Sequence, residues 1–139
     1  MSRVLLDTGV FVEILRKSEA AETLIRRRWR ILLSSVVHSE LLRGVDTRTE
    51  RAYVAHLARN YPPAAPTLGQ WERCGQVLAR LRRARGYDAR GLRGIQNDVL
   101  IALAARDHGV PVVTTDRADF ERIAEWVRGL TVVPWATDG

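Results

Sequence analysis

Short apolar runs alternate along this chain with longer segments whose apolar residues recur at helical spacing. The runs around Leu5, Leu32 and Val113 are a few residues long and almost wholly apolar, which is typical of strands that are buried on both faces of a sheet. The amphipathic segments between them are long enough to form helices. Strands that alternate with helices predict a parallel sheet flanked by helices, so we expect an α/β fold and a single domain over residues 1–139.

Composition narrows the classes of protein to which the chain can belong. Cys74 is the only cysteine, which excludes an intramolecular disulfide and a cysteine-based zinc site. No apolar run is long enough to cross a bilayer, and the N-terminal residues do not resemble a signal peptide. We therefore expect a cytoplasmic protein that does not associate with a membrane.

The chain is strongly basic, and its basic residues are almost all arginine. The formal net charge is +6, and Lys17 is the only lysine among the 22 basic residues. Arginine binds phosphate through two parallel hydrogen bonds and stacks on bases, so this balance favours a nucleic-acid partner. A GC-rich coding sequence would also enrich arginine without any selection for binding, and the charge alone leaves both interpretations open.

Four acids stand close to the ends of predicted strands or to the starts of predicted helices. Asp7 and Asp116 directly follow strands. Glu40 lies about one turn into the helix after the second strand, and Asp98 opens an apolar helix. In open parallel sheets ligands bind at the carboxyl ends of the strands, so we expect all four side chains at one edge. The helix from Asp98 to His108 spans roughly 16 Å and the next strand returns roughly 13 Å, which makes Asp98 and Asp116 neighbours.

Each of these acids also has an ordinary structural explanation. Asp7 and Asp116 can cap the helices that follow them, and Asp98 favours the dipole of its helix. Glu40 can be a solvated surface residue. Four acids at one edge, however, repel one another unless a cation binds between them, and carboxylates are the ligands that Mg²⁺ and Mn²⁺ prefer. An acidic metal site on a basic protein predicts chemistry on a phosphodiester.

Four sequence segments carry a resemblance to a known family. They are VLLDTGVFVEIL, SSVVHSELLRG, NDVLIALAARDHG and VVTTDRADFERI. In this order they resemble the motifs of PIN-domain proteins, and in particular those of the VapC-type ribonuclease toxins of bacterial toxin–antitoxin pairs. The resemblance covers nearly the whole chain, and it implies a mostly parallel sheet of about five strands in the order 3-2-1-4-5.

The resemblance also implies roles for individual residues. It makes four acids the catalytic and metal-binding groups, namely Asp7, Glu40, Asp98 and Asp116, around one or two Mg²⁺ or Mn²⁺ ions. It gives supporting roles to Thr115, Asp119 and Asn97. Thr115 would supply a hydroxyl near the metal or its water, and Asp119 would be an accessory acid. Asn97 would support the metal-binding acids without binding the metal itself.

The function implied by the resemblance is hydrolysis of RNA, with tRNA or rRNA as the substrate, by metal-activated water. A type II toxin would be inhibited by a small cognate, VapB-like antitoxin, and the resemblance also implies a homodimer. Two alternatives stay open. One is a non-catalytic PIN-like binding module that acts with its partner as a DNA-bound regulator. The other is a nuclease of the same fold that acts on housekeeping RNA or on DNA outside a toxin pair.

Two further patterns yield structural predictions. Residues 85–94, RGYDARGLRG, are rich in glycine and arginine and predict a flexible basic loop. We expect this loop and the turn before it to form a basic rim that guides the RNA backbone, although a solvated loop is the alternative; the rim consists of Arg82, Arg83, Arg85, Arg90 and Arg93. In the preceding helix, Leu68, Trp71 and Leu78 keep a three-to-four spacing, which predicts that Trp71 faces the core. Cys74 of the same helix is expected to be a packing residue.

Overall fold

The computed structural model describes residues 2–137, and within them strands and helices alternate as the sequence pattern predicts. The elements are β1 (Arg3–Leu6), α1 (Thr8–Arg16), α2 (Ser18–Arg27), β2 (Arg30–Ser34), α3 (Ser35–Gly44), α4 (Arg48–Asn60), β3 (Pro63–Ala64), α5 (Leu68–Arg85), α6 (Ala89–Asp107), β4 (Val112–Thr114), α7 (Arg117–Ala124) and β5 (Val132–Pro134). None of the helices in this described part has the length and apolar character that a membrane span requires.

The five strands form one parallel sheet in the order β3-β2-β1-β4-β5. Leu5 of β1 pairs with Leu32 of β2 on one side and with Val112 of β4 on the other. This register brings the carboxyl ends of the three central strands to the same edge of the sheet. The α/β class and the 3-2-1-4-5 order are therefore confirmed.

The helices divide into two groups that pack among themselves. Helix α1 contacts α2 and α3, and α3 contacts α4. In the second group α6 contacts both α5 and α7, and a contact between α3 and α6 joins the two groups. Right-handed crossover connections place the two groups on opposite faces of a parallel sheet. The core between these layers contains fully buried side chains such as Phe11, Leu5 and Phe120, and each such burial stabilises the fold by roughly 1.5–3 kcal/mol.

Helix α6 begins at Ala89, nine residues before the position predicted for it. The structure has no flexible loop over residues 85–94, because Gly86 ends α5 with a φ of 69° and Asp88 caps α6 by accepting a hydrogen bond from Gly91 N at 2.8 Å. Gly94 also lies inside the helix, and each helical glycine costs about 1 kcal/mol relative to alanine. The cap and the burial of Ile95 offset this cost. Asp98 consequently lies in the third turn of a long helix, and the prediction that it opens the helix was wrong.

The buried face of α5 also differs from the prediction. Trp71 is 49% exposed and Leu68 is 76% exposed, whereas Cys74 and Leu81 are buried. The buried stripe begins with a polar residue, Gln70, whose amide donates to Asp107 Oδ2 at 3.0 Å. A helical repeat of apolar residues that is counted from Leu68 therefore predicts the wrong buried face of α5. The prediction that Cys74 is a packing residue is confirmed, since its side chain belongs to the core.

Candidate active site

Three carboxylates converge at the carboxyl edge of the sheet. Ligand atoms of Asp98, Asp116 and Asp119 all lie within 4.8 Å of one another. Asp116 caps α7 directly after β4, and its own N–H donates to Thr114 Oγ1 at 2.8 Å. Asp119 follows in the first turn of α7, and its N–H donates to Asp116 Oδ1 at 3.4 Å. The expectation that Asp98 and Asp116 are neighbours is therefore confirmed, although Asp98 reaches this place from the middle of α6.

Asp7 lies beside this group and is almost completely buried, with 7% of its surface exposed. It caps α1, and its Oδ1 accepts a hydrogen bond from Thr8 N at 2.7 Å. Its Oδ2 accepts from the Thr114 hydroxyl at 2.9 Å. Burial raises the pKa of Asp7, the bonds from Thr114 and Thr8 oppose that rise, and the charges of Glu40 and Asp116 add to it. Both oxygens thus have a fixed donor, which sets the position of the carboxylate.

Glu40 lies in the second turn of α3 and is held from two directions. Its Oε1 accepts a hydrogen bond from the Thr8 hydroxyl at 2.7 Å, and its Oε2 accepts from Asn97 Nδ2 at 3.4 Å. Arg43 approaches Oε2 only to 3.9 Å. These contacts connect α3 with the start of α1 and with the turn of α6 that carries Asp98, so Glu40 closes the acidic group on the side of α3.

Asp98 carries the largest electrostatic cost in the site. Burial raises its pKa to about 8, and the charges of Asp7, Glu40, Asp119 and Asp116 contribute further. Among the described residues no hydrogen-bond donor contacts its carboxylate. Arg122 instead compensates the neighbouring Asp119, since its Nη1 lies 3.0 Å from Asp119 Oδ1 and also donates to Tyr87 OH at 3.1 Å. The arrangement therefore concentrates negative charge that the described side chains only partly neutralise.

The donor set suits a small divalent cation. All of the converging atoms are carboxylate oxygens, which Mg²⁺ and Mn²⁺ prefer over nitrogen or sulfur ligands. The oxygens of one octahedral Mg²⁺ site are at most about 4.2 Å apart. Small rotations of Asp98, Asp116 and Asp119 would bring one oxygen from each within that limit. Asp7 and Glu40 lie next to these three and can contribute directly or through water.

Two threonines organise the acids, and the sequence did not single them out. Thr114 accepts from the backbone of Asp116 and donates to Asp7, so one hydroxyl joins β1 with the start of α7. Thr8 connects the cap of α1 with Glu40. Thr115, the predicted hydroxyl, is exposed and packs so closely over Gly9 that a Cβ at that glycine would collide with Thr115 Oγ1. The signal that was available is a threonine directly after Asp7 and a pair of threonines before Asp116, but the sequence alone does not tell which hydroxyl of that pair faces inward.

The arginines predicted to form a basic rim lie on two consecutive helices. Arg82, Arg83 and Arg85 belong to the last turn of α5, and Arg90 and Arg93 belong to the first turns of α6. All five are exposed. Arg85 is engaged by Glu125, at 2.6 Å from both carboxylate oxygens. None of the five forms an ion pair with the acids of the site in the described part of the chain.

Solved structures of similar fold come from toxin–antitoxin complexes. One is a chain of VapBC2 from Rickettsia felis bound to a DNA fragment from their promoter, with a TM-score of 0.74, 20% identity, and coverage of 96% of this chain and 99% of that chain. Another is a chain of DNA-bound VapBC from Salmonella typhimurium, with a TM-score of 0.72, 22% identity, and coverage of 98% and 100%. A third is a chain of VapBC-1 from nontypeable Haemophilus influenzae, with a TM-score of 0.68, 18% identity, and coverage of 96% and 98%. At these identities the similarity is one of fold.

Sequence comparison supports the same assignment at the level of the family. No curated protein matches the chain significantly. The sequence profile of the PIN domain, in contrast, matches residues 4–125. That range includes all five acids described above, the two threonines that hold them, and four of the five strands. With the fold, the strand order and the profile in agreement, this chain belongs to the PIN domain family.

Proposed function

We propose that the chain is a metal-dependent endoribonuclease that acts as the VapC-type toxin of a type II toxin–antitoxin pair. The observation that carries the proposal is the convergence of Asp98, Asp116 and Asp119 within 4.8 Å, beside Asp7 and Glu40. Mutually repelling acids of this density are a cost to the fold unless a cation binds there. Membership of the PIN domain family and similarity in fold to chains of VapBC complexes support the same activity.

The acids have distinct tasks in this proposal. Asp98, Asp116 and Asp119 would hold one or two Mg²⁺ or Mn²⁺ ions, together with Asp7 and Glu40. When bound, such ions supply an activated water at neutral pH and neutralise charge on the scissile phosphate. Asp7 is pre-positioned by its two donors, so its carboxylate does not have to be ordered when the cation binds.

The neutral side chains complete the site. Asn97 keeps Glu40 turned toward the other acids through its side-chain amide. The exposed hydroxyl of Thr115 lies at the start of α1, where it would hydrogen-bond an incoming phosphate oxygen or water. These are positioning roles, and the acids remain the groups that the cleavage reaction requires.

RNA is the proposed substrate, and tRNA or rRNA is the proposed substrate class. The net charge of +6 supports a polyanionic substrate, because phosphate neutralisation dominates nucleic-acid affinity. Four of the five predicted rim arginines, Arg82, Arg83, Arg90 and Arg93, are exposed and available for phosphate contacts. Arg85 is the exception, because it is already paired with Glu125.

A small cognate antitoxin of the VapB type is the proposed protein partner, and a homodimer is the proposed assembly. The support for the antitoxin is that the structural neighbours are chains of VapBC complexes. We propose the cytoplasm as the location, in agreement with a single cysteine and with the intracellular substrate that the nuclease would need.

Cleavage of total tRNA and rRNA by the purified protein tests the proposed function. We expect discrete fragments with Mg²⁺ or Mn²⁺, and no fragments with EDTA or in the Asp98→Asn variant. Asp46→Asn is the matched control, because Asp46 is exposed and lies outside the acidic group. Asp46→Asn is expected to cleave as the wild type does. A folded wild-type protein that binds Mn²⁺ and still leaves all of these RNAs intact would contradict the proposal.

A second candidate function is a DNA-bound regulator that works together with the partner protein. The observation in its favour is that two of the neighbours are complexes with DNA, one of them with a promoter fragment. It predicts that the chain and its antitoxin together shift DNA from upstream of their own genes in a gel, with no metal-dependent cleavage of RNA. Cleavage combined with the same gel shift would show that both functions coexist.

A further inference from the structure

A groove lined by arginines lies on α5, outside the acidic site. It has a volume of 710 Å³. Arg73, Gln76, Arg80 and Arg83 line one wall, Ala79 lies between them, and Trp126 forms the opposite wall. The α5 residues follow one another at intervals of three and four, so they share one face of the helix. The groove is thus a continuous basic stripe that faces an aromatic ring.

The walls of the groove are held together by specific contacts. Arg73 donates from Nη2 to the Trp126 carbonyl oxygen and from Nη1 to Gln76 Oε1, both at 3.1 Å. The Arg80 guanidinium lies 5.6 Å from the centroid of the Trp126 ring, which is a cation–π contact. The distance between α5 and the end of α7 is therefore fixed without help from a ligand.

The charge in this region is left without a counter-anion. Arg128 joins Arg73 and Arg80 against Trp126 in a smaller adjoining cavity. Arg80, Arg83 and Arg128 form no ion pair with any described residue. Glu125, the acid that lines the adjoining cavity, is already engaged by Arg85. Clustered guanidiniums with this geometry suit phosphate, which arginine binds through two parallel hydrogen bonds.

One unsatisfied donor lies at the same place. The indole N–H of Trp126 is shielded from solvent and has no acceptor among the described residues. Buried N–H groups are nearly always paired, so an orphan in the wall of a cationic groove points to an acceptor that is supplied from outside the chain. A phosphate oxygen that draws the Arg80 guanidinium away from the ring would be such an acceptor.

The groove and the acids are joined through α7. Asp119 lies in the first turn of this helix and Trp126 lies just beyond its end. The seven steps along the chain from Asp119 to Trp126 correspond to roughly 10 Å at 1.5 Å per residue. The ~3.4 Å rise per nucleotide of a duplex is a lower limit for an extended single strand, so at most about three nucleotides span the same distance. A strand with a phosphate at the acids therefore reaches the groove without a sharp bend.

We propose that this groove binds the phosphodiester backbone of the RNA strand, at most about three nucleotides from the cleaved bond. Arg80, Arg83 and Arg128 contact phosphates, and Arg73 holds the wall on which Arg80 lies. The identity of the strand as the cleaved RNA rests on the proposed function, whereas the anion-binding character of the groove does not. An acidic protein segment is the competing occupant. RNA is favoured because one strand can have a phosphate at the acidic site and another in the groove, whereas an acidic segment would be repelled by the acids.

Binding of a fluorescein-labelled, 12-nucleotide single-stranded RNA in EDTA tests this inference without any turnover. The main variant is Arg80→Gln with Arg83→Gln. A second pair, Arg83→Gln with Arg128→Gln, leaves the contact between Arg80 and Trp126 intact. The matched control is Arg48→Gln with Arg59→Gln, which removes the same two charges from exposed positions of α4, in the other group of helices. Circular dichroism and thermal melting verify that every variant is folded.

We expect each groove pair to weaken RNA binding about tenfold at 0.1 M salt, and to reduce the slope of log K against log salt by about 1.4, at ~0.7 per phosphate contact. The control pair is expected to change affinity by less than about twofold, because it alters only the long-range field. Equal losses in groove and control pairs would overturn the proposal. So would a polyglutamate peptide of the same length that binds more tightly than the RNA and is lost in the same variants.

The result is separable from the test of nuclease activity. A wild-type protein that cleaves RNA with Mn²⁺ but binds it equally well in all of the variants would overturn the groove and leave the nuclease standing. A protein that binds RNA through the groove but never cleaves it would contradict the nuclease and support the groove as a binding site.

Discussion

The acidic site and the arginine groove are two charged regions of one small protein, and they are built in opposite ways. Asp7 is buried and Asp98 and Glu40 are partly buried, although Asp116 is exposed. Two threonine hydroxyls and the Thr8 amide hold Asp7 and Glu40 against the repulsion of their neighbours. The groove arginines are mostly exposed, and water screens their mutual repulsion. Concentrated charge is therefore costly to the fold only in the first region. The clustered acids lower the free energy of unfolding while no cation is bound, whereas the clustered arginines of the groove hardly change it.

The largest expected change in stability follows from breaking the support of the acids. Thr114→Val keeps the shape of the side chain but leaves Asp7 Oδ2 without its donor and the Asp116 N–H without its acceptor. We expect a loss of about 2–3 kcal/mol in the free energy of unfolding. Metal affinity and RNA cleavage should fall about 10–100-fold, as is usual when a group behind a metal ligand is removed.

Urea denaturation, Mn²⁺ titration and RNA cleavage measure these three effects. Thr115→Val is the comparison variant, because this neighbouring hydroxyl is exposed and forms no hydrogen bond with an acid among the described residues. We expect its stability to change by less than about 0.5 kcal/mol. Equal losses of stability in the two variants would contradict the assignment of the supporting role to Thr114.

The next effect is the pH dependence that Asp98 imposes on the metal-free protein. Its pKa is raised from 3.8 to about 8, so between these values the folded state keeps a proton that the unfolded state has released. Stability due to this group is therefore complete below about pH 4 and is lost as the pH rises toward 8. Without metal, the wild type should be more stable at pH 5 than at pH 8.

Asp98→Asn removes the titrating group and should flatten that profile. At pH 8 in EDTA we expect the variant to be about 1–2 kcal/mol more stable than the wild type, since it replaces a buried carboxylate by a neutral amide. Mn²⁺ should raise the melting temperature of the wild type and have little effect on Asp98→Asn. Parallel stability profiles of the two proteins from pH 5 to pH 8 would show that Asp98 is not the group responsible.

The smallest effect is expected in the groove. Arg83→Gln with Arg128→Gln removes two exposed guanidiniums that form no ion pair within the described residues, so the free energy of unfolding should change by less than about 0.5 kcal/mol. Urea denaturation at low and at high salt measures it. A gain of more than about 1 kcal/mol at low salt would mean that the groove cations repel one another as strongly as the acids do, and the contrast between the two regions would fail.

The parts that could be predicted from sequence are those that depend on local periodicity. Apolar runs located the central strands, and the acids that follow β1 and β4 were enough to predict that Asp7 and Asp116 meet at one edge. The boundary of α6 was missed because residues 85–94, with three glycines and three arginines, suggest a loop, while the cap at Asp88 and the burial of Ile95 outweigh the low helix propensity of the glycines within α6. That competition is decided by tertiary packing, which a single segment does not reveal.

The contacts that hold the site are of a different kind. Thr114 and Thr115 are adjacent and chemically identical, and only the pleat of β4 decides which hydroxyl is buried beside Asp7. The burial of Trp71 and Trp126 is equally hard to predict from the sequence. The first is half exposed although it falls on an apolar repeat, and the second forms the wall of a groove whose other wall comes from a distant helix.

The three-residue connection between α5 and α6, from Gly86 to Asp88, has a consequence for the order of folding. Two long helices joined so closely form an antiparallel pair through contacts that are local in sequence, and local contacts form early. Asp98 is part of this pair, but the acids that repel it lie at the start of α1, in α3 and at the start of α7, and they reach Asp98 only when the sheet forms. We therefore expect the repulsion to act after the rate-limiting step. The metal-free wild type should fold at nearly the same rate as Asp98→Asn but unfold faster. A bound cation, which removes the repulsion, should therefore slow unfolding.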